Sequence, residues 1–600
     1  MQFPLVRGAT TYGDSFKCRE TIVILCESVR NCTGSTKLIS LVLQKQLARV
    51  LKAKSYHALD PVRFEEALTD LKLSPQTLKT RLAGERVICT TCRLLVHNIQ
   101  TGVVPLDQVV STFCNLYITF QTWTISDFCH QIIKINKPIL DYVIRGSSIL
   151  SPEYACAVLL QNENCYVEHP ALLWRTKVPE GPPKVPRVPP SPPKRPIKIL
   201  HVSDFHVTHD YEVGGVADCG YPVCCKRGLG NRLRGANAGV WGHYNCDVPP
   251  WMFAHALTHI SDVHKDIDAI YFTGDVIDHS VWKASSMENS KQIAYVYQKL
   301  ASSFPNTPVL PVLGNHEAAP LNVFAPPNVT RAEFSQSWLY GLSDRLWSRW
   351  LGDSSKTISR QGYYSVMAND KLKIVGLNNN VCYIYNWWLL YDTTFLVEQL
   401  DFLRDELLDA EDKGQFVHIL GHVFPGEREC VEPWEASYNA LVARFSHVIK
   451  GQFFGHTHTD AFKIFYDEGR PVSVAYNGGS LTPYTNYNPN YKIVTVDGHN
   501  YDVVDIDTYY FNVTQANLHP NITPRWRKLY STREAYGLPA LSPAYFDALA
   551  RKMSENDALF DKYWRFYVRE GDVSIAQGCD RDCRQILLDS ITRTVSLTAA

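Results

Sequence analysis

The sequence carries no surplus of charge: 60 Lys and Arg are matched by 60 Asp and Glu. A balanced chain has no general field to draw it to nucleic acid or to an acidic membrane, so any lipid contact must be local and apolar. It also lacks an apolar run near the roughly 18 to 20 residues that span a bilayer. The expectation is a soluble or peripheral protein. Between Met1 and Cys32 there is no continuous apolar stretch ahead of small residues at a cleavage site, and Thr21 to Cys26 is too short to serve. Either the true start is missing or the first exon is wrongly assigned. A cytosolic protein is the competing reading.

Against that reading stand 17 cysteines, many for a cytosolic enzyme. Their grouping predicts disulfides and an oxidising compartment, so the protein is expected to be secreted, lysosomal or both. Sequons at Asn31, Asn328, Asn512 and Asn521 agree, and the last three are the expected glycosylation sites. Hydrophobic residues are 45% and aromatics 12%, an ordinary globular composition. At 600 residues the chain is too long for one core. A multidomain α+β protein, active as a monomer, is expected.

The plainest boundary is Val178 to Pro196, where closely spaced prolines preclude a sustained helix or strand and predict a polyproline II spacer. The linker is drawn over 170–196. Before it, 85–169 reads as a helical unit with Cys89, Cys92, Cys114, Cys129, Cys156 and Cys165; apolar residues such as Val87, Ile88, Leu94, Leu95 and Ile99 recur at helical spacing. A CxxC pair can bind zinc, but no second close pair follows at finger spacing. Spacing alone leaves the cysteine connectivity open. Residues 1–84 are unassigned. Over 197–525, the runs IKILHVSD, DAIYFTGD, PVLPVLGNHE, LKIVGLNNN and FVHILGH read as buried strands, with helices at Gln292–Leu300 and Phe395–Leu408 between some of them. This is the pattern of an α/β sandwich with functional residues at strand ends. From 526 to 600 a helical subdomain is expected, with helical periodicity over Ser542–Phe566 and Cys579 close enough to Cys583 to bridge.

Five clusters at strand ends carry the chemistry: Asp204-Phe-His206, Gly274-Asp275, Gly314-Asn315-His316-Glu317, Gly421-His422 and Gly455-His456-Thr457-His458. They offer oxygen and imidazole ligands and no thiolate, a set that suits zinc, manganese or iron. One such cluster is weak support, since a lone strand-end histidine is usually structural. Five in order, each after an apolar run, are specific. A diester also needs a proton for its departing alkoxide, and a histidine can give one in mild acid. His316, then His279, are the candidates, and activity should favour acid until ligand histidines are protonated.

These clusters resemble the signature DxH, GDxx, GNH(D/E), GH and GHxH of the calcineurin-like metallophosphoesterases. The family's pattern implies one metal at Asp204, His206, Asp275 and His458, and a second at Asp275, Asn315, His422 and His456, with Asp275 bridging. Two such cations share a hydroxide and neutralise the developing charge of an in-line displacement. The stretches ERVICTTC, FCNLY, FCHQI and LSPEYACAVLLQNENC resemble a saposin-type domain, which implies bridges Cys89–Cys165, Cys92–Cys156 and Cys114–Cys129 and an amphipathic surface that engages membrane lipid.

From about Glu85 to about Asp589 the chain resembles the acid sphingomyelinases, through SDFHVTHDYEVG, DCGYPVCCKRG, TGDVIDHSVW, GNHEAAPLNVFAPP, FFGHTHTDAFKIFYDE, NYNPNYKIVTVDG and REAYGLPALSP. That resemblance implies two zinc ions, hydrolysis of sphingomyelin to ceramide and phosphocholine, Tyr484 near the substrate, and bridges Cys219–Cys224, Cys225–Cys246, Cys382–Cys430 and Cys579–Cys583. Cys18, Cys26 and Cys32 are left over. Trp387, Trp388 and Leu389 are read either as an exposed membrane-facing loop or as core. The alternatives to a sphingomyelinase are a phosphodiesterase of nucleotides or other small diesters and an inactive lipid-binding protein.

Overall fold

Each of the five apolar runs read as strands forms one in a computed structural model of the chain, which describes residues 87–108, 126–163, 165–181, 195–229, 237–352, 355–426, 428–575 and 578–593. Asn31, Cys18, Cys26, Cys32, Cys114 and the 1–84 region lie outside the described residues. Of those described, residues up to Ile133 and Ser151–Cys165 form one compact unit; Lys134–Leu150 and everything from Tyr166 form another.

In the smaller unit, α1 (Val87–Gln100) and α3 (Pro152–Leu159) are held by the bridges Cys89–Cys165 and Cys92–Cys156. Ser151 caps α3 by accepting the Tyr154 N–H. Between them α2 (Ser126–Gly146) contributes its residues from Lys134 onward to the larger unit. There Tyr142 packs against Phe334, Trp388 and Tyr391, with ring centroids 5.1 to 5.7 Å apart. Trp388 and Leu389 are fully buried in a short 3-10 turn, so the exposed-loop reading of Trp387–Leu389 is corrected. An aromatic cluster buries its area wherever a facing surface exists, and Tyr142 and Phe334 supply one.

In the larger unit β1 (Ile197–Val202), β2 (Ala269–Phe272) and β3 (Val309–Pro311) run parallel. A second sheet takes β4 (Tyr364–Met367), β5 (Leu372–Gly376), β6 (Phe416–Leu420), β7 (Ile449–Phe454), β8 (Phe462–Asp467) and β9 (Arg470–Asn477) in the order β4-β5-β6-β7-β9-β8. The chain then returns to the first sheet through β10 (Asn490–Val496), β11 (Val503–Tyr510) and β12 (Arg527–Ser531), giving β12-β11-β10-β1-β2-β3. The inner faces meet where Tyr271 and His201 ring-pack on Phe453 and the Tyr271 hydroxyl lies 2.8 Å from His418 Nδ1. The α/β sandwich is thus built, with α4 (Pro250–Val263), α5 (Ser286–Ser303) and α6 (Ser337–Leu351) stacked in succession. Ser285 caps α5 on the Glu288 N–H, an S-x-x-E box ahead of buried Ile293, Val296, Tyr297 and Leu300. On α7 (Phe395–Asp412) Leu396, Leu400, Leu403 and Leu407 bury one stripe.

The start of the Pro-rich segment is not a free spacer. Residues 170–173 turn as a helix, and residues 176–180 lie along α8 (Glu432–Arg444), whose Ser437 and Arg444 bond the backbone of Thr176, Pro179 and Glu180. Residues 182–194 lie outside the described set. The C-terminal region is also less purely helical than expected, because β12 is a strand of the first sheet. The helical run over Ser542–Phe566 is two helices, α9 (Pro543–Glu555) and α10 (Asp557–Tyr567), since Asn556 caps the second by accepting the Leu559 N–H. The last helix, α11 (Arg581–Thr592), carries Cys583 of the Cys579–Cys583 bridge in its first turn and lies on β8.

Cys219–Cys224, Cys225–Cys246 and Cys382–Cys430 are also bridged. Asn328 and Asn521 are exposed; Asn512 is half-buried, its side chain accepting the Gln515 N–H. Among the described residues no helix is long and apolar enough to cross a membrane.

Candidate metal centre

All seven expected ligands converge, each on the loop that leaves a strand: Asp204 and His206 after β1, Asp275 after β2, Asn315 after β3, His422 after β6, His456 and His458 after β7. All are buried. Asp204, His206, Asp275 and His458 form one group with ligand atoms within 4.8 Å of one another, and Asp275, His422 and His456 form another. Asn315 joins the second, its Oδ1 2.8 Å from both His422 Nε2 and His456 Nδ1. Asp275 belongs to both, with Oδ2 3.4 Å from His206 Nε2 and 3.2 Å from His422 Nε2.

The outer partners decide what these atoms can hold. His206, His422 and His458 each donate from Nδ1 to a backbone carbonyl at 2.6 Å, of Ile277, Thr273 and Tyr484. A carbonyl only accepts, so the proton sits on Nδ1 and the Nε2 lone pair points inward. The Asn315 amide donates to Asn322 Oδ1 at 2.7 Å, which turns its own oxygen to the centre. His456 is reversed: Nδ1 faces inward and Nε2 lies 2.9 Å from Glu429 Oε2. The result is acceptor against acceptor. His206 Nε2 lies 3.0 Å from His458 Nε2, and Asp275 Oδ2 is buried without a hydrogen-bond donor. Such a set is satisfied by cations, and the residues fit two divalent ions of the oxygen- and imidazole-binding kind.

Electrostatics agree. Burial works against ionised carboxylates, yet the neighbouring imidazoles hold Asp204 and Asp275 far below the ordinary range. In turn burial would lower His206 and His422, but the carboxylates lift both to about 9. Without cations, protons are drawn to the positions that cations take. Glu317 is raised to about 8 by burial and by the charge of Asp275, while its Oε1 accepts the Val276 N–H.

Both candidate acids line the same cleft. The His279 ring lies 4.0 Å from that of His206, tilted to it, and 4.6 Å from that of His316, edge-on. The Nδ1 of His279 lies 2.7 Å from Asp247 Oδ1, and the other Asp247 oxygen accepts the His279 N–H. Thr482 Oγ1 donates to the same carboxylate. His316 leans Nδ1 on the Asp278 carbonyl at 3.4 Å. In both rings Nε2 is buried without a partner, and burial, the leading cause, holds both well below the ordinary value. The two residues also form a third close group with His206. Tyr484 is half-buried, its ring 4.4 Å from His279.

Three residues that sequence reasoning did not single out support the centre. Asp247 follows Cys246 and Glu429 precedes Cys430, so their only signal is adjacency to a bridged cysteine. Arg569 lies after α10, wholly buried, and donates to the His458 carbonyl at 2.6 Å.

The calcineurin-like phosphoesterase pattern matches residues 197–460, and that of the acid sphingomyelin phosphodiesterase C-terminal region matches residues 475–595. Sphingomyelin phosphodiesterase of Homo sapiens is 36% identical over 515 residues, covering 83% of this chain and 79% of its own. The Bos taurus protein of that name is 35% identical, covering 86% and 83%. Sphingomyelin phosphodiesterase 1 of Caenorhabditis elegans is 31% identical, covering 84% and 91%.

Proposed function

This chain belongs to the acid sphingomyelinase family of calcineurin-like phosphoesterases, and from that premise we propose that it hydrolyses sphingomyelin to ceramide and phosphocholine as a di-zinc enzyme. The observation that carries the reading is the pair of ligand groups sharing Asp275, with imidazole lone pairs aimed inward by backbone carbonyls. When bound, two divalent cations polarise the phosphoryl oxygens and ease the ionisation of water.

The chain's own residues supply the rest. Burial of the cleft excludes bulk water around His206, Asp275, His279 and His316. As the bond between phosphorus and the ceramide oxygen breaks, that oxygen takes the electron pair and needs a proton. His279 and His316 present Nε2 for it. His279 is the better held, because Asp247 accepts from its Nδ1 and so turns Nε2 to the leaving oxygen; that carboxylate works against the burial that disfavours the imidazolium from which the proton is given. Tyr484 walls the cleft beside His279 and lends its carbonyl to His458.

The lipid substrate gives the disulfide-bonded helices a purpose. A saposin-type unit, supported by the nested Cys89–Cys165 and Cys92–Cys156 bridges, presents an amphipathic surface to bilayers. Six described bridges fit a secreted or lysosomal enzyme. The test is to assay zinc-loaded full-length chain on sphingomyelin liposomes and on nucleotide phosphodiesters. Phosphocholine release is expected; a preference for nucleotides without phosphocholine would sink the lipid reading, and a chain that cannot be loaded with zinc would favour a lipid carrier.

A further inference from the structure

The loop between β1 and α4 carries two bridges, Cys219–Cys224 and Cys225–Cys246, packed with Tyr211, Val216, Ala217 and Ala238 in a small core of their own. A loop needs no such bracing for its own sake. This one delivers a single cation inward. Lys226, next to Cys225, has a side chain only 1% exposed. Its ammonium lies 2.7 Å from Asp278 Oδ2 and 2.9 Å from Asp210 Oδ1, and also donates to the Thr208 hydroxyl. The Thr208 oxygen is itself 2.8 Å from Asp210 Oδ1 and 2.9 Å from Asp278 Oδ2. The backbone adds a further tie, the Arg227 N–H donating to the Asp210 carbonyl at 2.9 Å.

Asp278 is the informative partner. Its Oδ1 accepts the Ser280 N–H at 2.8 Å, its carbonyl is the Nδ1 partner of His316, and the next residue is His279. One residue therefore adjoins both candidate proton donors: its carboxylate ties down the turn that carries His279, and its carbonyl meets the His316 ring. An isolated buried ammonium is strongly disfavoured, so its presence at 1% exposure requires the carboxylates to stay where they are.

We propose that Lys226 is a positioning residue for proton delivery: its ammonium fixes Asp278, and through Asp278 the imidazoles of His279 and His316. The proposal rests on the phosphodiesterase reading above but not on the identity of the lipid. Lys226 touches no ligand atom of the metal centre. Removing it should therefore spare zinc and substrate binding while harming reactions that need a proton on the leaving oxygen.

The experiment compares Lys226→Met, Lys226→Gln and Lys226→Arg in the full-length zinc-loaded chain on three substrates: sphingomyelin, diphenyl phosphate and bis(p-nitrophenyl) phosphate. Phenoxide and alkoxide leave poorly without a proton; p-nitrophenoxide leaves unaided. The Met and Gln variants are expected to lose roughly ten- to a hundredfold in kcat on the first two, with KM, zinc per chain and turnover of the nitrophenyl diester within about twofold of wild type. Arg, which reaches both carboxylates, should restore most of the loss. Parallel loss on all three substrates, loss of zinc, or failure of both Met and Gln variants to fold would overturn the proposal and leave Lys226 a structural residue. A wild-type chain that cleaves the aryl diesters but not sphingomyelin would sink the lipid substrate alone, and the phenyl-to-nitrophenyl ratio would still decide Lys226.

Discussion

Arg569→Met removes the tie between the C-terminal region and the metal centre. The guanidinium is wholly buried and donates to the carbonyls of His458 at 2.6 Å and Asn488 at 2.8 Å, and to Ser480 Oγ at 3.0 Å. Ser480 also donates its own hydroxyl to Thr482, so the two carbonyls are the acceptors left stranded. Orphaning a buried acceptor costs about 1 to 3 kcal/mol, roughly 2 to 6 kcal/mol for the pair. Part is offset, because burial of the charge is itself unfavourable and holds Arg569 down to about 10. The net expectation is the lower half of that range, about 2 to 4 kcal/mol of lost stability. Methionine keeps an apolar stem against Tyr487, over which the guanidinium now lies. Urea unfolding of the full-length chain reads the stability, and competition with a chelator reads zinc affinity. The loop of His456 and His458 should loosen with it, weakening zinc binding about tenfold, as losses of supporting residues do. A variant as stable as wild type that also retains wild-type zinc affinity would refute the latch.

Asp247→Asn keeps the shape behind His279 but no longer stabilises its imidazolium, so phosphocholine release should fall roughly a hundredfold while zinc per chain is unchanged; zinc loss would make Asp247 part of the metal support instead. Glu429→Gln removes the negative charge 2.9 Å from His456 Nε2, and chelator competition should show roughly ten- to a hundredfold weaker zinc binding. The last prediction concerns pH. Burial would raise Asp278, but Lys226 holds it below the ordinary carboxylate range, so its stabilisation is present above about pH 3.9 and is lost as pH falls through the lower folded value. Measured in chelator to remove metal effects, the stability gap between wild type and Lys226→Met should narrow as pH drops below about 3.9; a gap that widens there would contradict the pairing.

The metal centre was legible because its signal is local. An apolar strand run and a polar ligand fall within a few residues where β1, β2, β3, β6 and β7 end, with a glycine between them after all but β1. Asp247, Glu429, Lys226 and Arg569 carry no such mark. Each is a single charge whose partner is set by the packing of distant loops. The strand β12 escaped for a different reason: Arg527–Ser531 is an edge strand, exposed over its first residues, and has no apolar run to announce it. Trp387–Leu389 shows the reverse. Its apolarity was plain, but whether water or Tyr142 and Phe334 faced it depended on helix α2, far away in sequence. Asn556 was readable in principle, as a capping residue within a long periodic stretch.

The backbone of the ligand loops explains why so much of the chain is enlisted to hold them. Asp204, His206, Asp275, His456 and His458 all lie in the left-handed region, at φ 51, 41, 65, 76 and 59°. That conformation costs a non-glycine residue of order 1 kcal/mol or more and persists only where its surroundings impose it. The glycines beside these ligands solve a different problem, close approach: a Cβ on Gly274 would come within 2.5 Å of the Gly314 nitrogen, and one on Gly314 within 2.1 Å of the Asp275 carboxylate. Two ligand loops therefore touch backbone to backbone, and neither can relax without displacing the other. What remains is to hold the ligand residues in their strained turns. Asp204 and Asp275 do part of this themselves, by accepting the N–H groups of His456 and His316. Arg569 does it from the C-terminal region through the His458 carbonyl. On this view the region after the sandwich is a structural part of the active site, and the positive φ values predict that a truncation before Arg569 abolishes zinc binding even if both sheets still form.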